Sequence, residues 1–414
     1  MNTSNPSLSP VPADQRVFTG TSQAALWFSL GVGLLVMQVG AYLVPAMGTR
    51  DAFWAILLGS VLGSGLLAWT AQLGTQSGLS SAGLMQATYG PAFARLPIVL
   101  NIAQLIGWTT FEIVIMGEGT QAIVSRVTGM PVPAWLPVLI WGGLLSLLMM
   151  GSMLTLVRRF VSRIGLPLVI LSLLWLSVHF VGVAQHKGLE ALWQRAGDGS
   201  MGMLSAIDLV LAMPVSWLPL VADYSRYGQR SGSTLRGTWI GYALANIWCY
   251  ALGVLVASVS EPGTDLVSAL LLAQGGLLAL GLILLDELDN AYGDVHSGAV
   301  SATSLWSGAS LRQWGVGMAL LCTVLAFFLP MHSIEPFLLM LSSVFVPLFG
   351  VILGRLSGRT SPSLQRTRTD WVAALIWLLG IGVFHGVAQW APAWGSALPA
   401  LAFTGGLAWL TRGR

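Results

Sequence analysis

The chain has 414 residues, 55% hydrophobic and only 8% charged, with a formal net charge of +3. Soluble domains carry roughly 25% charged residues, so a soluble enzyme or soluble binding module is excluded and a polytopic, all-α membrane protein is implied. The basic residues lie in short loops rather than in one patch, so the lipid bilayer is the expected partner and nucleic acid is not.

Residues 1–20 are polar and rich in Ser and Pro, and read as a loose cytoplasmic tail without a cleavable signal. Apolar runs long enough to cross a bilayer then recur twelve times: 24–46, 53–74, 96–124, 133–152, 164–184, 204–223, 237–259, 267–290, 314–331, 334–354, 371–390 and 396–411, with helical character after the eighth expected to run on to about residue 308. Fifteen of the 19 basic residues fall in the tail, the even-numbered gaps and the C-terminal end. That bias puts both termini in the cytoplasm.

The first span carries Gln38 and Gly40 at membrane depth, followed by Pro45. The sixth carries Pro214 and Pro219 on either side of Ser216 and Trp217. Each proline removes a backbone donor and frees a carbonyl, and irregular backbone at that depth is tolerated where it lines a cavity. Either segment alone can be an ordinary kink. Interrupted segments five spans apart point to an inverted-repeat transporter site. The expected units are residues 21–186 (spans 1–5), 187–358 (spans 6–10) and two peripheral helices in 359–414.

In the third span Gln104, Trp108 and Glu112 recur every fourth residue and share one helix face. An indole between an amide and a carboxylate suits a flat heteroaromatic ligand with polar edges. The eighth span ends in LLDELDNAYGD, where Asp286, Glu287, Asp289 and Asp294 crowd together. Acids inside a membrane segment are costly and mark substrate or ion paths. Asp286, Asn290 and Asp294 share a face, with Asp289 beside it. These acids need a bound Na⁺, a proton or an interfacial location, and Asp294 reads as interfacial. A Na⁺ ion near Asp286 would be completed by first-span carbonyls around Met37 to Gly40. Asp208 reads as a helix-dipole partner, and Asp223 to Tyr227 as a cytoplasmic anchor with a local ion pair. Cys249 and Cys322 lie in apolar runs, and no Cys/His spacing suits a metal or other cofactor.

The third-span stretch NIAQLIGWTTFEIVIMGEG, the sixth-span ending ADYSRYG and the eighth-span DELDNAYGD resemble the nucleobase:cation symporter-1 family. Within it the likeness is to the cytosine permease-like branch, nearest its bacterial hydroxymethylpyrimidine transporters. The resemblance covers nearly the whole chain. It implies a LeuT-type five-plus-five inverted repeat, alternating access and an inner-membrane location. It also implies a ring stacked on Trp108, with Gln104, Asn290 and the sixth-span residues Ser216 and Trp217 around it. Gln38 joins this substrate set; Asp286 and Asp289 are the ion-coupling candidates, for Na⁺ or H⁺. Glu112 stands where some members have an amide, and Leu285 and Asp286 where the family's Na⁺ sites have hydroxyls. A carboxylate at 112 would favour the N–C–NH₂ edge of an aminopyrimidine, which cytosine and hydroxymethylpyrimidine share. The alternatives are a proton-driven exporter of the major facilitator type, and an integral membrane enzyme using Glu112 with the eighth-span acids. No charged loop follows the second span to support the exporter, and no nucleophile motif supports the enzyme.

Overall fold

The computed structural model describes residues 7–151, 164–261, 263–329, 334–358 and 367–412. Span 1 is a broken pair, α1 (Gly20–Ser29) and α2 (Leu34–Ala46), bent by 61°. Span 2 is α3 (Thr49–Ser77); the short α4 (Ser81–Tyr89) leads to span 3, α5 (Arg95–Thr128). Spans 4 and 5 are α6 (Trp135–Met149) and α7 (Leu166–Lys187), followed by the short α8 (Leu189–Trp193). Span 6 is again divided, into α9 (Met203–Ser216) and α10 (Leu218–Ser225), and span 7 is α11 (Ser231–Val259). A short α12 (Leu266–Leu272) precedes span 8, α13 (Gly276–Leu305). Spans 9 to 12 are α14 (Leu311–Leu325), α15 (Ile334–Leu356), α16 (Trp371–Trp390) and α17 (Ala397–Leu410).

Packing repeats with a period of five spans. α3 lies on α9 as α11 lies on α1 and α2; α5 lies on α6 as α13 lies on α14; α6 meets α13 as α14 meets α5. Exchanging each span with the one five places on therefore reproduces these contacts among spans 1–4 and 6–9. α16 and α17 stand outside this scheme, packed on each other and on α15.

Three sequence expectations are corrected here. The break in span 1 falls at residues 30–33, not around Met37 to Gly40, which lie inside α2. Gly40 serves close packing instead: a Cβ on it would lie 2.3 Å from the Tyr250 carbonyl, and one on Gly253 would lie 1.9 Å from that of Met37. Small residues let helix backbones touch in this way. Secondly, the helix of span 8 starts at 276 rather than 267, and it runs on to 305, close to the expected 308. Gly275, in the left-handed region at φ 73°, separates it from α12. Its second half, rich in small and hydroxyl residues, is buried rather than apolar, so Asp294 sits mid-helix and 2% exposed instead of at the interface. Thirdly, residues 7–19 are pinned rather than loose. Val11 N–H donates to Gly78 O (2.9 Å), Arg16 Nη1 to Thr75 O (2.8 Å) and Phe18 N–H to Tyr227 O (3.0 Å).

Two further acids tie elements together. Asp208 does face a helix N-terminus, but that of α17, accepting from the amides of Ser396 and Ala397 (the latter at 3.1 Å). Asp223 forms no ion pair with its neighbours in the ADYSRYG stretch. It accepts from Ser81 N–H at 2.9 Å and from Ser297 Oγ, joining the inner ends of spans 6 and 8 to α4.

Candidate functional site

The site is built around two breaks. In span 1, residues 30–33 leave the first amides of α2 without helical partners, and the Glu287 carboxylate of α13 takes the Leu34 N–H. Asn290 Nδ2, one turn on, donates to the Val32 carbonyl at 3.1 Å and to Glu287 Oε2 at 3.4 Å. The approach is close enough to require glycine at 33, where a Cβ would lie 2.9 Å from Glu287 Oε1. Its φ of 176° is extended and suits any residue, so the glycine serves proximity and not backbone strain. Gly33→Ala would push the Glu287 carboxylate aside. Uptake by this variant is expected to fall about tenfold, the scale of one lost charged hydrogen bond, and the unfolding midpoint should fall with it because the buried Leu34 N–H loses its partner. Wild-type uptake would show that the Glu287–Leu34 bond is dispensable.

In span 6, Pro214 and the division at Trp217 leave carbonyls that polar side chains then take. Pro214 has no N–H for Val210 O, which accepts Tyr250 Oη at 3.3 Å. Around the division at Trp217, Gln104 Nε2 donates to Ser216 O at 3.1 Å and Asn101 Nδ2 to Pro219 O at 3.1 Å. Gln104 and Asn101 are themselves bonded at 3.0 Å, so α5 holds the open backbone of span 6 with a pair of amides.

Between the breaks lies a cavity lined by Trp108, Glu112, Ser216, Trp217, Glu287, Asn290 and Asp294, closed by Leu30, Gly33, Leu35, Val36 and Met213. Its volume is about 30 Å³, the share of a single water in the liquid. Trp108 meets the edge of Phe337, from α15, at 5.2 Å, and Trp217 meets Trp27 at 5.9 Å. Trp108 Nε1, Glu112 Oε2 and Asn290 Oδ1 are buried with no hydrogen-bond partner. Buried polar atoms normally find one, so three unpartnered atoms around one cavity mark where a polar ligand would bond. Among the described residues, no group of three or more His, Cys, Asp or Glu side chains has metal-holding geometry.

The sequence pattern of the family described as "Permease for cytosine/purines, uracil, thiamine, allantoin" matches residues 10–381. The chain belongs to this permease family. It is 26% identical over 362 residues to the cytosine permease of Escherichia coli (strain K12), covering 84% of this chain and 81% of that one. Its fold matches Mhp1, a nucleobase-cation-symport-1 family transporter, solved in a closed conformation with bromovinylhydantoin bound. The TM-score is 0.81 at 16% identity, covering 98% of this chain and 94% of Mhp1. A Na⁺-coupled sialic acid symporter gives a TM-score of 0.64 at 12% identity, covering 99% and 91%. The permease is thus a LeuT-type transporter and not an enzyme, and the major facilitator alternative falls with the fold.

Of the sequence-predicted residues, the structure brings Trp108, Glu112, Ser216, Trp217 and Asn290 to one cavity wall. Gln104 sits just behind it, bonded to the open backbone of span 6. Gln38 does not line the cavity; it lies half-buried in α2 beyond the break. Asp286 and Asp289 do not line it either: Asp286 accepts from Ser29 Oγ at 3.0 Å, and Oδ2 of each is unpartnered. Sequence reasoning missed Glu287 and, as cavity residues, Asp294 and Leu35–Val36. The spacing of Glu287, Asn290 and Asp294 is i, i+3, i+7, also a single helix face.

Proposed function

We propose that the permease is a secondary importer of an aminopyrimidine, hydroxymethylpyrimidine first, working by alternating access in a bacterial inner membrane with both termini cytoplasmic. The halves 21–186 and 187–358 rock about the cavity, which at about 30 Å³ admits no ring until its walls part. The single observation that carries the reading is Glu112: a buried carboxylate with a free oxygen, one turn from the Trp108 indole on the same helix face. A carboxylate accepts two parallel N–H donors, and the N–C–NH₂ edge of an aminopyrimidine supplies both when its ring nitrogen is protonated. The coupling ion is Na⁺ or H⁺. Asp286 is its ligand or carrier, with Ser29 bonded to one oxygen and the other unpartnered, and Asp289 assists. Cytosine is the second reading, favoured by the cytosine permease relative.

The test is uptake of labelled hydroxymethylpyrimidine into proteoliposomes, with and without an imposed Na⁺ gradient, against cytosine, thiamine and uracil as competitors. Accumulation blocked by aminopyrimidines and not by uracil is expected; accumulation of cytosine alone would transfer the assignment to the second reading. Glu112→Gln is expected to narrow the preference for aminopyrimidines over uracil by about tenfold, the scale of a charged hydrogen bond, and an unaltered competition profile would remove Glu112 from recognition. Asp286→Asn should alter the dependence of uptake on the ion gradient more than the competition profile. An unchanged ion response would place coupling elsewhere.

A further inference from the structure

The hydrogen-bonding inventory of the cavity is one-sided. Its acceptors are Glu112 Oε2 and Asn290 Oδ1, both unpartnered, with the carboxylates of Glu287 and Asp294. Among the lining side chains, Trp108 Nε1–H is a buried donor without a partner. Ser216 Oγ–H is used on Met213 O at 2.7 Å, and Asn290 Nδ2 on Val32 O and Glu287 Oε2. No lysine, arginine or histidine is among the lining residues, and two of the remaining walls are the indoles of Trp108 and Trp217.

A neutral ring such as uracil presents two carbonyl acceptors, and in this cavity they would meet carboxylates. A buried carboxylate without a cationic partner is costly, so the energetically matched occupant supplies both positive charge and N–H groups. Indole faces attract cations through the ring quadrupole, which adds to the same preference. We infer that the cavity selects an organic cation: a flat heterocycle with positive charge on its ring nitrogens and N–H donors on two edges. Glu112 of α5 takes one donor set, and Glu287 and Asp294 of α13 take the other. This rests on the ring-transport reading above and narrows it, since the protonated form of an aminopyrimidine is then what binds. It also assigns specificity to Glu287 and Asp294, two residues outside the aminopyrimidine-edge contact.

The test separates charge from shape. Binding of 2,4-diamino-1-methylpyridinium, a fixed cation with N–H donors on two edges, is compared by calorimetry on the purified wild-type protein with that of 4-methylbenzene-1,3-diamine, its neutral isostere, and of uracil. The cation is expected to bind at least about tenfold more tightly than either, as one charged hydrogen bond supplies. Glu287→Gln and Glu112→Gln should each bring the ratio of cation to isostere affinities toward one. Equal or tighter binding of the neutral isostere or of uracil, or binding of none of the three, would overturn the inference, and the wild-type comparison stands whether or not the variants fold. Cation preference without hydroxymethylpyrimidine uptake would leave the inference standing and remove the substrate assignment. Hydroxymethylpyrimidine uptake without cation preference would do the reverse.

Discussion

Trp108→Ala is expected to lower uptake by about 10- to 100-fold, because stacking on an indole is worth about 1–3 kcal/mol per ring and the platform also closes the cavity. The indole is 6% exposed and touches Phe337 edge-on at 5.2 Å and Phe111 at 6.2 Å. Its removal therefore costs packing as well, in a range of about 3–5 kcal/mol for a large buried aromatic. Trp108→Phe separates the two effects: it keeps a ring against Phe337 while losing the buried, unpartnered Nε1–H and part of the stacking area. Trp108→Phe should retain most of the thermal stability and a measurable part of the uptake. If Trp108→Ala transports at the wild-type rate while remaining monodisperse, the stacking role is wrong.

Gly253→Val should be the most destabilising of the substitutions considered. A Cβ there would lie 1.9 Å from the Met37 carbonyl oxygen and 2.8 Å from its carbon, both backbone atoms that no rotamer change can move. α11 and α2 would have to separate along their shared seam, taking the break of span 1 and the Glu287–Leu34 bond with them. A cost above about 4 kcal/mol is expected, the range reserved for core overpacking and comparable events. Fluorescence-detected size exclusion after heating reads it directly. Gly281→Ala is the matched control, since nothing lies within 4 Å of a Cβ at that position. Similar melting of both variants would show that the glycine seam does not hold the bundle together.

The third span was readable because it is long and unbroken. Over 34 residues the helical period is undisturbed, so the shared face of Gln104, Trp108 and Glu112 followed from spacing alone. Span 8 was not. Its acids and its small, hydroxyl-rich second half depress hydropathy, yet that half is buried among other helices, where polar and small side chains find partners. Hydropathy reports lipid contact and not burial, so the apolar run ended near residue 290 while the helix goes on, and Asp294 looked interfacial. The faces of α13 were ambiguous for a geometric reason. At 100° per residue, Asp286, Asn290 and Asp294 fall within an arc of about 80°, and Glu287, Asn290 and Asp294 within about 60°. Only the position of α2 decides which arc meets the cavity. The break in span 1 was misplaced because Gln38, Gly40 and Pro45 looked stronger than Gly31-Val32-Gly33. Gly33 is revealed by the Glu287 carboxylate beside it, a contact 254 residues distant in sequence (287 − 33 = 254) that no local pattern encodes. Gln104 shows the opposite case: correctly placed near the site, it bonds the backbone of span 6 rather than facing the cavity.

A structure determined in the presence of hydroxymethylpyrimidine tests the placement of the substrate most directly. Ring density is predicted between the Trp108 indole and Asn290, with its amino-bearing edge on Glu112 and the cavity enlarged by movement of Phe337. Density in the groove lined by Arg50, Trp193 and Arg195, with the cavity between the two broken spans unchanged, would contradict the assignment of that cavity as the transport site.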